Sequence, residues 1–189
     1  NVVTFGDFFQ EGPGAIAAFV MVNQPGGARP FFLKRNGAAW VDQTSAVLSP
    51  TTGCATASSA ITADFNGDGR NDLVVGRSFY GGVGVALQDA TGKLGAMTNL
   101  LKDQTIELVR MADLDRDGRQ ELITMSSSSQ LSFYRPQGDG SVQLYDRFSS
   151  MLAANAGPQS LELGDLNGDG YPDLVAKGLI YWMNRPQTV

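Results

Sequence analysis

The chain has 189 residues, 42% of them hydrophobic and 17% charged, which suits one domain with a real core. Its 19 acidic residues against 14 Lys and Arg give a net charge of −5. The basic residues form neither a run nor an aromatic-interleaved patch, so nucleic acid is excluded as a partner. Histidine is absent, which removes Ser-His-Asp and Cys-His catalysis and His-ligated zinc, and no apolar run is long enough for membrane insertion.

The opening residues, NVVTFGDFF, carry neither Met nor a basic-then-apolar leader, so the chain is expected to be a processed product or an excised piece. In TFGDFFQEGPGAIAAFVMV, Asp7, Glu11, Gly12 and Gly14 form a loop ahead of an apolar strand expected from Ala15 to Val22. RPFFLKRNGAAWVDQT then reads as a hairpin turning at Asn36-Gly37. The segment from Ser45 to Ser59 is rich in Ser, Thr and Ala and is expected to be a long connection. Within it lies Cys54, the chain's single cysteine, expected to be an inert thiol.

From there one plan repeats three times. A strand-like segment (SSAITA, IELVRMA, QSLELG) leads into an acidic loop (DFNGDGRND, DLDRDGRQE, DLNGDGYPD), and an apolar strand follows at once. After the first two copies come hairpins, GVGVALQDATGKLGAM around Thr91-Gly92 and QLSFYRPQGDGSVQLYDRF around Gly138-Asp139-Gly140. Residues 149–157, SSMLAANAG, are where a turn or two of helix is expected. After the third copy only the strand LIYWMN remains, so the last unit lacks an outer strand. The leading aspartates Asp64, Asp113 and Asp165 recur at intervals of 49 and 52 residues, the period of a four-stranded propeller blade. The units are residues 2–44, 58–102, 105–149 and 159–189, and the fold class is all-β.

The loops explain the charge. Asp64, Asp68, Asp72, Asp113, Asp115, Asp117, Glu121, Asp165, Asp169 and Asp173 are 10 of the 19 acids, and carboxylates that close repel unless a cation lies among them. Calcium takes six to eight hard oxygen ligands, often from alternate residues of one loop. In the first loop, side-chain oxygens come from Asp64, Asn66, Asp68 and Asp72, with the Arg70 carbonyl between. The second offers Asp113, Asp115, Asp117, the Arg119 carbonyl and Glu121. The third offers Asp165, Asn167, Asp169, the Tyr171 carbonyl and Asp173. Gly69, Gly118 and Gly170 supply the bend. About three Ca2+ sites are expected, and magnesium, with its small octahedral shell, fits less well. An EF-hand would need a bidentate Glu at position twelve, where Val75, Thr124 and Ala176 stand instead. Polar turns alone would explain the composition but not the fixed spacing. A catalytic pair of carboxylates would not recur on successive units. The first unit places only Asp7 and Glu11 on this frame and is expected to hold no metal.

The motif Asp-x-Asn/Asp-x-Asp-Gly-x-x-Asp/Glu-Leu, followed by a short apolar strand, resembles the FG-GAP/VCBS repeats that build the β-propellers of integrin α-subunits and many bacterial secreted proteins. Phe5-Gly6 echoes the family's Phe-Gly. The resemblance covers nearly the whole chain and implies blades of four antiparallel strands, with the calcium loop joining the first two strands of each. Four units make either a small four-bladed ring or part of a propeller completed by further blades of the same parent protein or of another chain. The implied function is a non-catalytic, calcium-stabilised module of an extracellular, cell-surface or periplasmic protein that binds a protein or glycan ligand. The alternatives are a lectin, using Trp40, Trp182, Tyr80, Tyr134 or Tyr181 as stacking platforms, and an accessory propeller of a larger secreted enzyme.

Overall fold

The computed structural model describes residues 2–6, 8–9, 17–24, 27–48, 57–78, 81–128, 130–148, 160–176 and 179–182. Within them the strands form four antiparallel sheets, each built from strands consecutive in the chain. The first sheet holds β1 (Val2–Gly6), β2 (Ala17–Gln24), β3 (Gly27–Asn36) and β4 (Ala39–Asp42). The second holds β5 (Ala57–Ala63), β6 (Asp72–Arg77), β7 (Gly82–Ala86) and β8 (Thr98–Leu100). The third holds β9 (Ile106–Ala112), β10 (Glu121–Ser126), β11 (Leu131–Pro136) and β12 (Val142–Phe148). The fourth has three strands among the described residues, β13 (Leu161–Gly164), β14 (Asp173–Ala176) and β15 (Leu179–Trp182).

The sheets stack face to face, and the sequence of the second strand in each records it. In β6 every residue from Asp72 to Gly76 is buried, with no polar alternation. The period-two geometry of a strand divides such a run between two faces. Leu73 and Val75 join a core with Phe8, Phe19, Met21 and Phe32 of the first sheet's side, whereas Val74 joins Ile106, Val109, Leu122 and Tyr134 of the third sheet. Likewise Leu122 of β10 faces the second sheet, while Ile123 and Met125 pack with Leu161 and Leu174 of the fourth. Three cores thus join four sheets in sequence. The first strands lie side by side at these seams, β1 by β5, β5 by β9 and β9 by β13. On β1, Val3 and Phe5 remain 52% and 61% exposed.

The seams are also hydrogen-bonded. The Val109 amide donates to buried Ser59 Oγ at 3.0 Å, and Ser58 Oγ donates to the Ile106 carbonyl at 2.7 Å. At Gly84 a Cβ would come within 2.4 Å of Met97 Sδ and 2.9 Å of Val75 Cγ2, so any larger residue would force these side chains to shift.

Several local expectations change. The strand expected from Ala15 to Val22 is described from Ala17 onward and continues past Val22 to Gln24. Gly92 does sit at a turn, with φ of +85°, but only Gln88 and Leu94 pair across it, and the strand that completes the sheet lies beyond, at Thr98–Leu100. Among its described residues, the connection after the first sheet contains one helical turn, α1 (Thr44–Val47), and β5 already begins at Ala57. The turn buries Val47, whose carbonyl accepts the Leu94 amide at 2.7 Å and ties the first sheet to the second. The expected helix at 149–157, the degenerate loop with Asp7 and Glu11, and Cys54 lie outside the described residues.

Candidate metal centre

Each acidic loop joins the first two strands of its sheet: residues 64–71 join β5 to β6, 113–120 join β9 to β10, and 165–172 join β13 to β14. All three close on the same hydrogen-bond frame. The leading aspartate folds the loop around its carboxylate. Asp64 Oδ1 accepts the amides of Gly67 and Asp68 at 2.8 and 2.9 Å, and Oδ2 accepts that of Gly69 at 2.7 Å. Asp165 repeats this with Gly168, Asp169 and Gly170 at 2.7, 3.2 and 2.8 Å. Asp113 accepts two amides, from Asp117 at 3.1 Å and Gly118 at 2.9 Å. The bend needs left-handed backbone, and Gly69, Gly118 and Gly170 have φ of +83°, +87° and +85°.

The fifth position binds the seventh: the amides of Arg70, Arg119 and Tyr171 donate to Oδ1 of Asp68, Asp117 and Asp169 at 3.0, 2.8 and 2.9 Å. The ninth position closes each loop onto its second residue. Asp72 Oδ2 accepts Phe65 N at 2.9 Å, Glu121 Oε2 accepts Leu114 N at 2.8 Å, and Asp173 Oδ2 accepts Leu166 N at 2.9 Å. These closing carboxylates are buried, Asp72 and Asp173 completely. Burial, aided by Asp68 and Asp64 nearby, pushes the Asp72 carboxyl up to about 6 against the pull of its Gln88 and Phe65 bonds. Burial likewise raises Glu121, with Asp115 and Asp117 adding to it and Leu114 and Arg135 opposing.

The donor set fits a hard divalent cation. One carboxylate oxygen each from Asp113, Asp115 and Asp117 lies within 4.8 Å of the others, so these three could hold a metal ion. That separation is about twice a calcium–oxygen distance. The side-chain ligand positions of the three loops hold only carboxylates and asparagine amides, with no His or Cys, and such oxygen ligands are the chemistry of calcium rather than of zinc or copper. In the other two loops, asparagine takes the third position and donates to the fifth: Asn66 Nδ2 to Asp68 Oδ2 at 2.8 Å, and Asn167 Nδ2 to Asp169 Oδ2 at 3.0 Å. The first and second of the three loops also lie next to one another. An open groove of about 830 Å3 between them is lined by Asp64, Asn66, Asn71, Asp117 and Arg119, among others.

Two arginines not among the expected site residues belong to this region. Arg116, with φ of +62°, takes the place that Gly67 and Gly168 occupy in the sister loops. Its guanidinium stands 5.2 Å from the Tyr171 ring centroid in the next loop and against Gly170. Arg135, on β11, donates through Nη2 to Asp115 Oδ2 at 2.5 Å and stacks 4.2 Å from the Tyr145 ring centroid. The sequence held a signal for the first, an arginine where its repeats have glycine. For the second the only signal was a fourth acid in one loop. Arg70 is also paired, with Asp68 of its own loop.

Of the aromatic residues considered as sugar platforms, Tyr134 is only 3% exposed and packs in the core between the second and third sheets. Trp40 is 46% exposed on β4. Tyr80 and the side chains of Tyr181 and Trp182 lie outside the described residues.

The family model of the FG-GAP-like repeat matches residues 64–124 and 113–176, more than half of the chain. No curated protein matches the sequence. Among solved structures, a Xanthomonas type IV secretion system related protein is similar at 16% identity and a TM-score of 0.37, over 96% of this chain and 97% of that one. That likeness is too distant to argue from.

Proposed function

The chain belongs to the FG-GAP-like repeat family, and from that premise we propose that it is a non-catalytic, calcium-stabilised repeat module of a secreted or cell-surface protein. The observation that carries this reading is the convergence of Asp113, Asp115 and Asp117 oxygens within 4.8 Å, on a loop whose frame recurs in two neighbouring sheets. Asp64, Asn66, Asp68, the Arg70 carbonyl and Asp72 form one site. Asp113, Asp115, Asp117, the Arg119 carbonyl and Glu121 form the second. Asp165, Asn167, Asp169, the Tyr171 carbonyl and Asp173 form the third. Bound calcium neutralises each loop and locks the first two strands of its sheet, adding RT ln(1 + [L]/Kd) to stability. The first position of each loop serves as a structural anchor, which supports a structural role over a catalytic one.

A module that depends on calcium of extracellular abundance works outside the cell, on its surface or in the periplasm. Its ligand is a protein or glycan, engaged by loops at the ends of the sheets. The exposed Val3 and Phe5 of β1 are where a further blade of the parent protein or of another chain would pack. The exposed ring of Trp40 favours carbohydrate as a second reading, which a glycan array tests.

The metal reading is tested by equilibrium dialysis with calcium. The expected stoichiometry is about three ions per chain, one fewer in each of Asp64→Ala, Asp113→Ala and Asp165→Ala. No bound calcium at millimolar concentrations would overturn it.

A further inference from the structure

We propose that Arg135 is a built-in competitor for the cation at loop 113–121, raising the calcium concentration that this loop needs to fill. The inference rests on the calcium reading above and goes beyond it by naming a residue outside the loop that opposes its filling.

The three loops share a frame but not a charge. The third position is Asn66 in the first loop and Asn167 in the third, and each amide donates to the fifth-position carboxylate beside it. In the second loop that position is Asp115, which as a carboxylate has no hydrogen to donate and brings a fourth negative charge to the ring of Asp113, Asp117 and Glu121. The chain answers with a cation from outside the loop. Arg135 lies one residue past the Leu122–Tyr134 pair, which sets it across from Glu121. The corresponding place in the second sheet, one past the Leu73–Ala86 pair, is the uncharged Leu87. Arg135 Nη2 binds Asp115 Oδ2, and its buried Nε faces Glu121 Oε1 at 3.7 Å without a hydrogen-bond partner.

A guanidinium so placed does part of what a metal would do. It draws on Asp115 and Glu121, both ligands in the calcium reading, and its charge opposes the approach of a divalent ion. Filling the site therefore means giving up the Arg135–Asp115 bond. The surroundings allow that exchange. A small open cavity of about 220 Å3 is lined by Asp117, Glu121 and Arg135, and the Tyr145 ring gives the released guanidinium a face to rest on.

The test is a calcium titration of the intact 15N-labelled chain, following the amide signals of Gly69, Gly118 and Gly170, each of which donates to the leading aspartate of its own loop. In Arg135→Gln the Gly118 midpoint should fall by about tenfold while Gly69 and Gly170 keep theirs. The proposal is overturned if the substitution leaves or raises the Gly118 midpoint, which would make Arg135 a support for the ligands instead. Should that variant not fold, Arg135→Met, which keeps much of the side chain's length without its charge, is read in the same way. Silence at all three glycines would remove the calcium reading itself, and the role of Arg135 with it. A response at all three glycines that neither substitution changes removes only the role of Arg135.

Discussion

Asp72 Oδ1 accepts the backbone amide of Gln88 at 2.8 Å, so the last residue of an acidic loop also fastens the chain leaving β7. The same carboxylate takes the Phe65 amide on its other oxygen and is fully buried. Asp72→Ala would leave two backbone donors without their acceptor. A loss of about 2–4 kcal/mol is expected by urea denaturation in chelator, where no metal contributes. Asp72→Asn, keeping one acceptor, should fall between. A cost near zero would contradict this reading of the closing carboxylate.

That burial also sets a pH dependence. Folding lifts the Asp72 carboxyl from an ordinary value of 3.8 to about 6, and Glu121 moves the same way, both chiefly through burial. The folded state therefore holds a proton that the unfolded chain has released. This contribution is full below the unfolded value and is lost as pH rises through about 6, on the order of 1–3 kcal/mol for Asp72. Asp42, Asp89 and Asp139 shift the opposite way, lowered by hydrogen bonds from Thr44, Thr91 and Ser141, so their support is lost only under stronger acid. In chelator, the urea midpoint should be higher at pH 5 than at pH 7. With saturating calcium, which needs the charged carboxylates, the order should reverse. A chelated protein more stable at pH 7 would contradict the account of these buried acids.

The seam between the second and third sheets depends on a small polar contact. Ser59→Ala removes the acceptor of the Val109 amide in a buried site. About 1–3 kcal/mol of destabilisation is expected by chemical denaturation. A neutral substitution would mean that this seam is held by its apolar core alone.

Arg116 separates backbone strain from its side-chain contact. Arg116→Gly relieves the left-handed cost of about 1 kcal/mol while giving up the Tyr171 ring, and is expected to be nearly neutral. Arg116→Ala gives up the ring and keeps the strain, so it should melt below both. Equal melting of the two variants would sink the strain argument.

Much of the fold was readable because the repeats punctuate it. Asp-rich loops set the spacing, and the unbroken run Leu73-Val74-Val75 marks a strand buried on both faces, which is what stacked sheets require. What escaped notice depended on partners distant in sequence. The turn α1 is four residues long, too short to leave a helical period, and it places Val47 in the same core as Leu94 while its carbonyl accepts the Leu94 amide. Strand β8 begins six residues past Gly92 because Gln88 and Leu94 close the hairpin with a single bridge before the chain leaves it. Arg135 sits 20 residues from Asp115 and looks like an ordinary strand arginine until the register brings it to the loop.

The most direct test of the central claim is thermal unfolding of the same protein in calcium, in magnesium and in chelator. The account predicts a clear rise of the midpoint with calcium, growing with its concentration, a smaller one with magnesium, and the lowest value in chelator. One midpoint common to all three solutions would mean that the repeated carboxylates hold their loops without an ion.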